Sequence, residues 1–348
     1  MYVAIFIIAC ALLATDYFRL SILRHFCIWL FITLFSILVF LRPEYGLKID
    51  YYEYLDFFQN VTLYNFTGVA SQHGFETGFA LLSAFIKTLS DSERICFAVI
   101  SFLTLYISYR AITKLSKLPA YSFFIFILSF GVYLFLGQIR QGLALAFALL
   151  AVSFWLDNRP KLFFITAVIA VLFHITAVII FIVPFVRYIN IRFLYLVGLA
   201  SFSLVFVDIF KPAILFVSAH LNLGDFASGK LAAYSESIYA EKVGFSAIQL
   251  YYLLLMSVLV YFQGRGITDE KFSFMLKIFI VGVVLNFAFN SFSVMLRLSY
   301  YFLVFDCILI SYFIFQLKSY YEKSFFYFLF LLVFILRFSL QWLEWNAA

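Results

Sequence analysis

Continuous runs of about 20 apolar residues recur along almost the whole chain, and they limit its fold more than any other feature. The clear runs cover residues 1–15, 22–41, 95–109, 121–137, 139–156, 191–210, 247–262, 272–289, 298–316 and 324–341. A backbone that crosses lipid must satisfy its own hydrogen bonds, and a continuously apolar run does so as a helix. The sequence therefore predicts an all-α, polytopic integral membrane protein with about 10–12 transmembrane helices and with re-entrant segments among the shorter apolar runs.

The composition excludes several other classes of protein. The chain is 66% hydrophobic and 12% charged, whereas about a quarter of the residues in a soluble domain are charged. Too few charges remain to cover a water-facing surface, which excludes a cytoplasmic enzyme, a nucleic-acid-binding protein and a disordered protein. Because the sequence shows no internal repeat and no soluble segment of domain size, we predict that residues 1–348 form one membrane-embedded domain.

Two segments, 76–89 and 162–186, do not have the length of a single span, so the topology depends on how they are placed. If 76–89 enters without crossing and 162–186 is a hairpin that turns near His174, thirteen of the 24 Lys and Arg residues fall in short loops on one side. Cytoplasmic loops carry such an excess. We favour this topology over single crossings of both segments, and it leaves external loops at about 42–94 and 211–246.

Arg140 lies in the segment Gly137–Gly142, between two apolar runs and on the outer side in the favoured topology. Gln141 follows it, and small residues then recur every four positions, which permits close helix packing. An interfacial Arg that reaches the lipid headgroups would give the same pattern. We favour a binding role for Arg140 and Gln141, because the packed helix would hold the guanidinium rigidly.

A second polar stripe comprises Asn286, Asn290, Ser293 and Arg297, which would share one face if the segment were helical. Tyr300 follows one turn later and is placed to orient the Arg297 guanidinium. Interhelical hydrogen bonds and an ordinary loop arginine are the alternative interpretation. We favour Asn290, Arg297 and Tyr300 as substrate contacts.

His174 lies inside an apolar run, where a histidine is either a core residue or a proton acceptor near neutral pH. Asp50 and Glu76 border membrane-facing stretches and are the less hydrated acids of the outer segment, which also carries Arg42. Paired guanidiniums suit a phosphate or diphosphate. A nearby acid or histidine suits the deprotonation of a hydroxyl nucleophile. Together these groups indicate sugar transfer from a lipid diphosphate, although a phosphate transporter would also need basic residues.

Five short motifs occur in this order along the chain: Asp50-Tyr51-Tyr52, Phe75-Glu76-Thr77-Gly78-Phe79, Arg140-Gln141-Gly142-Leu143-Ala144, Phe173-His174-Ile175-Thr176-Ala177 and Arg297-Leu298-Ser299-Tyr300-Tyr301-Phe302. This order resembles the EpsG-type, Wzy-like family of exopolysaccharide and O-antigen polymerases over residues 40–305. The resemblance implies a GT-C-like glycosyltransferase of the bacterial inner membrane. Such a polymerase joins undecaprenyl-pyrophosphate-linked oligosaccharide repeat units at the periplasmic face.

The resemblance also implies roles for the matching residues. Arg140 and Arg297 would contact the diphosphate, while His174, Glu76 and Asp50 are candidates for the base or for acceptor orientation, without a choice among them. It implies no metal, no cofactor and no nucleic acid. The partners would be membrane lipids, a Wzz-like chain-length regulator and a flippase. An O-antigen ligase or another polyprenyl-linked glycosyltransferase is the nearest alternative, followed by a flippase-type transporter.

Overall fold

The computed structural model describes residues 2–18, 20–41, 50–207, 216, 245–265, 269–290 and 293–347. These residues form helices and connecting segments, and no strand occurs among them. Long apolar helices satisfy their backbone hydrogen bonds internally, as passage through lipid requires. The prediction of an all-α polytopic membrane protein is confirmed.

The chain packs as two compact units, and the first comprises residues 1–181 and 310–348. A π-helical turn, Tyr133–Gly137, precedes its eighth helix, and a 3-10 helix, Ile175–Ile182, follows its ninth. The helices of this unit are α1 (Tyr2–Tyr17), α2 (Ser21–Phe40), α3 (Asp50–Asn60), α4 (Phe66–His73), α5 (Thr77–Leu89), α6 (Glu93–Leu115), α7 (Pro119–Val132), α8 (Ile139–Leu156), α9 (Pro160–Phe173) and, near the C-terminus, the end of α15 (Asp306–Gln316) and α16 (Tyr320–Ala347).

The second unit comprises residues 182–309. A 3-10 helix, Phe202–Phe206, follows its second helix. The α-helices of this unit are α10 (Val183–Val186), α11 (Ile191–Ser201), α12 (Ala247–Gly264), α13 (Glu270–Ala288), α14 (Ser293–Leu303) and the beginning of α15. That residues 1–348 act as one membrane-embedded domain stays a prediction.

Seven helical segments in the described part of the chain are long and apolar enough to cross a membrane. They are Ser21–Phe40, Glu93–Leu115, Ile139–Leu156, Ala247–Gly264, Glu270–Ala288, Met295–Gln316 and Tyr320–Leu343. Shorter apolar helices lie at the remaining predicted runs, for example Ile8–Tyr17 and Pro119–Gly131. The total of about 10–12 crossings stays a prediction.

The hairpin predicted near His174 is confirmed. Helix α9 ends at Phe173, His174 is extended with φ −159° and ψ 122°, and the 3-10 helix begins at Ile175. The ring of Phe181 stacks on that of Phe164, with the ring centroids 6.1 Å apart. The ten residues of α9 from Phe164 to Phe173 rise about 15 Å, and the seven residues of the 3-10 helix from Ile175 to Phe181 rise about 14 Å. The 3-10 helix therefore runs back alongside α9 from a turn at His174.

The predicted external segment 42–94 contains three helices between Asp50 and Leu89, and its position outside the membrane stays a prediction. Aromatic residues on one face of α3, including Tyr54 and Phe57, are buried against Phe75 and Phe79. Because α3 contains acids and tyrosines between its apolar residues, it is not a long apolar run, and its buried face is not evident from the sequence. Helix α5 has 13 residues and a length of about 20 Å, which is too short to cross a hydrocarbon core of about 30 Å.

The polar stripe of residues 286–297 is not one helix, so the expectation of a single shared face was wrong. Helix α13 ends at Ala288, and α14 begins at Ser293. Gly282 permits the two helices to pack closely, since a Cβ atom there would lie 2.8 Å from the Phe302 Cβ and 2.9 Å from the Leu303 N. The missing side chain allows α14 to pack directly against α13, and the chain turns back near Asn290.

Candidate active site

Glu76 is held at a fixed point by the chain reversal between α4 and α5. Gly74 adopts the left-handed conformation, with φ 63° and ψ 34°. The N–H of Gly74 donates to the Ser71 carbonyl at 3.3 Å, and the N–H of Phe75 donates to the Ala70 carbonyl at 2.8 Å. These two bonds form a Schellman motif. It ends α4 and places Glu76 immediately before the first residue of α5.

The Glu76 carboxylate gathers three donors from distant parts of the chain. His174 Nδ1 lies 2.8 Å from Oε1, and the Ile175 N–H donates to the same oxygen at 3.0 Å. Arg140 Nη1 donates to Oε2 at 2.8 Å. Ile175 opens the 3-10 helix, and the first N–H groups of a helix lack a partner within it. We call Glu76, His174 and Arg140 the Glu76 cluster.

Aromatic residues fix the plane of the Arg140 guanidinium. Arg140 is the second residue of α8, directly after the π-helical turn and Gln138. Its Cζ lies 3.9 Å from the Phe75 ring centroid, and Nε donates to the Tyr54 hydroxyl at 3.3 Å. A guanidinium has five N–H donors. Hydrogen bonds to residues that the structure describes use two of them, and the side chain is 18% exposed.

Two glycines let the backbones around the cluster approach closely. A Cβ atom on Gly78 would lie 2.6 Å from the Leu172 carbonyl oxygen, and one on Gly142 would lie 2.6 Å from the Leu134 carbonyl oxygen. Glu76 is two residues before Gly78, and His174 is two residues after Leu172. The contact of α5 with α9 therefore sets the separation of Glu76 from His174.

We expect Gly78→Ala to separate Glu76 from His174, because the new methyl group meets rigid backbone rather than a flexible side chain. Overpacking of this kind costs about 1–3 kcal/mol. The purified variant should unfold at a lower temperature than the wild-type protein and should lose activity. Gly264→Ala is the matched control, since its Cβ would meet nothing within 4 Å. Equal stability of the two variants would show that the Gly78 contact does not constrain the cluster.

Glu76 is ionised at neutral pH. Burial alone raises the pKa of this carboxyl, but the hydrogen bond and charge of His174, the charge of Arg140 and the Ile175 N–H outweigh burial and lower the pKa to about 2. An ionised carboxylate only accepts hydrogen bonds. His174 Nδ1 therefore donates to Glu76 whether the imidazole is charged or neutral, and the neutral form, with its lone pair on Nε2, is the form that accepts a proton.

The low pKa predicts how stability depends on pH. Because the pKa of Glu76 falls from 4.5 to about 2 on folding, the ionised form stabilises the fold fully above pH 4.5, by about 3 kcal/mol. That contribution is lost as the pH falls toward 2. The difference in unfolding temperature between wild-type protein and Glu76→Gln should therefore narrow over this interval. A difference that stays constant would contradict the assigned pKa.

The other predicted site residues are distributed over both units. Gln141 is buried in α8, and Asp50 is the first residue of α3. Arg297 and Tyr300 lie half-buried on α14 of the second unit, and Asn290 binds the Val205 carbonyl and Gln249 there. Arg42 and most of the predicted loop 211–246 lie outside the described residues. The substrate contacts assigned to these residues stay predictions.

The sequence motifs did not predict that Tyr54 and Phe75 contact Arg140. Phe75 directly precedes Glu76 in its motif. Tyr54 lies on α3 three residues after Tyr51 and three before Phe57, a spacing that places the three rings on one helical face. This spacing was the available signal, although nothing in it names Arg140 as the partner.

The cluster could supply His174 and Glu76 to a metal ion, but two such residues make a weak site. The described residues contain no group of three or more His, Cys, Asp and Glu side chains that could hold a metal. The chemistry that the cluster offers on its own is acid–base chemistry at His174 and anion binding at Arg140.

Comparison with known proteins identifies the family of the chain. Residues 27–347 match the EpsG family, a range that contains every residue of the Glu76 cluster. No curated protein and no solved structure matches the chain. Because the match covers most of the 348 residues, the chain belongs to the EpsG family.

Proposed function

We propose that this protein is a polysaccharide polymerase, a glycosyltransferase that joins undecaprenyl-pyrophosphate-linked oligosaccharide repeat units at the periplasmic face of the bacterial inner membrane. Membership of the EpsG family supports a polymerase-like role. The observation that carries the proposal is the Glu76 cluster, which places a histidine and an arginine on the two oxygens of one half-buried carboxylate. A polymerase of this kind needs a base and an anion-binding group side by side.

His174 is the proton acceptor in this proposal, and Glu76 is its positioning residue. A carboxylate with a pKa of about 2 has little tendency to take a proton at neutral pH. Glu76 instead holds Nδ1 of His174, as the acid of a catalytic triad holds its histidine. The lone pair on Nε2 is then directed away from Glu76 and toward an acceptor hydroxyl.

The transfer step follows from these positions. His174 Nε2 removes the proton of an acceptor sugar hydroxyl, and the hydroxyl oxygen bonds to the anomeric carbon of the growing chain. The bond between that carbon and the diphosphate oxygen breaks, and the electron pair leaves with the polyprenyl diphosphate. Arg140 stabilises the leaving charge through its remaining guanidinium donors.

A deletion strain tests the proposed function. We expect loss of the gene to abolish polymer and to leave single repeat units on their lipid carrier. A plasmid with the wild-type gene should restore polymer, whereas Arg140→Ala and Arg297→Ala should not. Arg140→Lys should also fail, since an ammonium group lacks the planar fork of donors.

Arg110→Ala is the control for this experiment, because Arg110 is exposed on α6. Membrane levels of every variant are compared by immunoblot. Full-length polymer in the deletion strain would refute the function. Full-length polymer from Arg140→Ala would refute the site.

A further inference from the structure

An open cavity of about 560 Å³ lies between α3 and α4, apart from the Glu76 cluster. Its volume falls within the range of about 300–1,000 Å³ that is usual for small-molecule sites. We call it the α3–α4 groove. Its polar lining residues are Asp56, Asn60, Asn65, Gln72 and His73, and Gly68 leaves one wall open.

The walls of the groove carry planar polar groups in fixed positions. Asn60 Nδ2 donates to the Asp56 carbonyl at 2.8 Å and to Asp56 Oδ1 at 3.1 Å. Asn65 Nδ2 donates to the Asn60 carbonyl at 3.0 Å. Asp56 Oδ2 lies 3.7 Å from His73 Nε2 across the groove. Amides and carboxylates present donors and acceptors in pairs, a spacing that suits neighbouring hydroxyl groups.

Buried aromatic residues connect the groove to the Glu76 cluster. The His73 ring centroid lies 5.6 Å from that of Phe57 and 5.8 Å from that of Phe75. Phe75 also lies beneath the Arg140 guanidinium, at 3.9 Å. Phe75 therefore packs between His73, which lines the groove, and Arg140 of the Glu76 cluster, so the groove lies one aromatic residue away from the cluster.

The chemistry of the lining distinguishes among ligand classes. No Lys or Arg is among the lining residues, and Asp56 contributes a negative charge, so the groove does not suit a phosphate. Polar side chains on both walls do not suit a lipid tail. A neutral ligand rich in hydroxyl groups can pair with the lone pairs and amide hydrogens that these internal bonds leave available on the exposed lining side chains.

We propose that the α3–α4 groove binds the oligosaccharide part of the substrate, next to the reacting sugar. This assignment rests on the proposed polymerase function and adds the site that recognises the sugar chain. The groove carries the specificity for the repeat unit, while the Glu76 cluster carries the transfer step.

A bulky side chain in the groove provides the test. Gly68→Trp fills the cavity from an open wall, where a Cβ atom would meet nothing within 4 Å. The matched control is Thr67→Trp, which places the same side chain on an exposed position of α4 outside the groove. Gln72→Ala removes one polar lining group and adds no bulk. The probe is the repeat-unit oligosaccharide released by mild hydrolysis from the polysaccharide of the host strain.

Binding of this oligosaccharide to purified full-length protein is measured by calorimetry. We expect Gly68→Trp to weaken binding by about tenfold or more, or 1.4 kcal/mol, and Gln72→Ala to weaken it severalfold, while Thr67→Trp matches the wild-type protein. Absent binding to the wild-type protein, or equal binding to all four proteins, would overturn the groove assignment. The deletion strain separately tests the polymerase function. If that strain loses polymer but Gly68→Trp binds the oligosaccharide as tightly as the wild-type protein, the groove assignment is refuted and the polymerase function is not.

Discussion

His174→Ala should lower the rate of polymer synthesis by about 10²–10⁴-fold, the usual contribution of a general base. The variant loses the hydrogen bond of the imidazole to Glu76 but keeps the ion pair of Glu76 with Arg140 and the Ile175 N–H donor, so the protein should still fold and insert into the membrane. The measurement is polymer yield in the deletion strain at matched membrane levels. His25→Ala is the control, since His25 is exposed on α2 and contacts the Ser21 carbonyl of the same helix.

Substrate binding separates a base from a packing residue at position 174. If His174 acts on the acceptor hydroxyl, His174→Ala should reduce kcat and leave KM largely unchanged. A core residue would instead lower the unfolding temperature and the membrane level together. Wild-type yield and chain length from His174→Ala would remove it from the mechanism.

Glu76→Ala should destabilise the protein more than any other single change in the cluster. It leaves the half-buried Arg140 guanidinium without its carboxylate, and breaking a fully buried ion pair costs up to about 3–5 kcal/mol. It also releases His174 and the Ile175 N–H. Thermal unfolding of the purified full-length protein measures the loss, and Asp91→Ala, at an exposed loop residue, should change stability by less than about 0.5 kcal/mol.

A second substitution distinguishes the lost pairing from a general loss of packing. The double variant Glu76→Ala/Arg140→Met removes both charges and keeps an apolar side chain over Phe75. It should be more stable than Glu76→Ala and yet remain inactive. A double variant as unstable as Glu76→Ala would show that the Arg140 charge is not the source of the cost.

The sequence predicted the parts of this fold that depend on local patterns. The apolar runs predicted the long helices such as α2, α6, α8 and α16, and the interrupted run around His174 predicted the hairpin. The motifs around Glu76, Arg140 and His174 predicted residues that the structure brings together. These predictions succeeded because long apolar segments and short motifs are readable without knowledge of distant contacts.

The features that the sequence did not reveal depend on contacts between distant residues. Helix α3 is rich in acids and tyrosines, and its buried face appears only when it packs against Phe75 and Phe79. Glu76 meets His174 across 98 positions of the chain. The face predicted to be shared by Asn286 to Arg297 required one helix, whereas the structure has two helices, α13 and α14, that pack closely at Gly282. No periodicity reports such a contact.

The most direct test of the Glu76 cluster as a polymerase active site is a reaction with purified components. Full-length protein is incubated with repeat units on a polyprenyl diphosphate, and the products are separated by length. The wild-type protein should produce a ladder of chains and release polyprenyl diphosphate, while His174→Ala should produce neither above background. A ladder of equal yield from His174→Ala, or no ladder from the wild-type protein, would contradict the assignment.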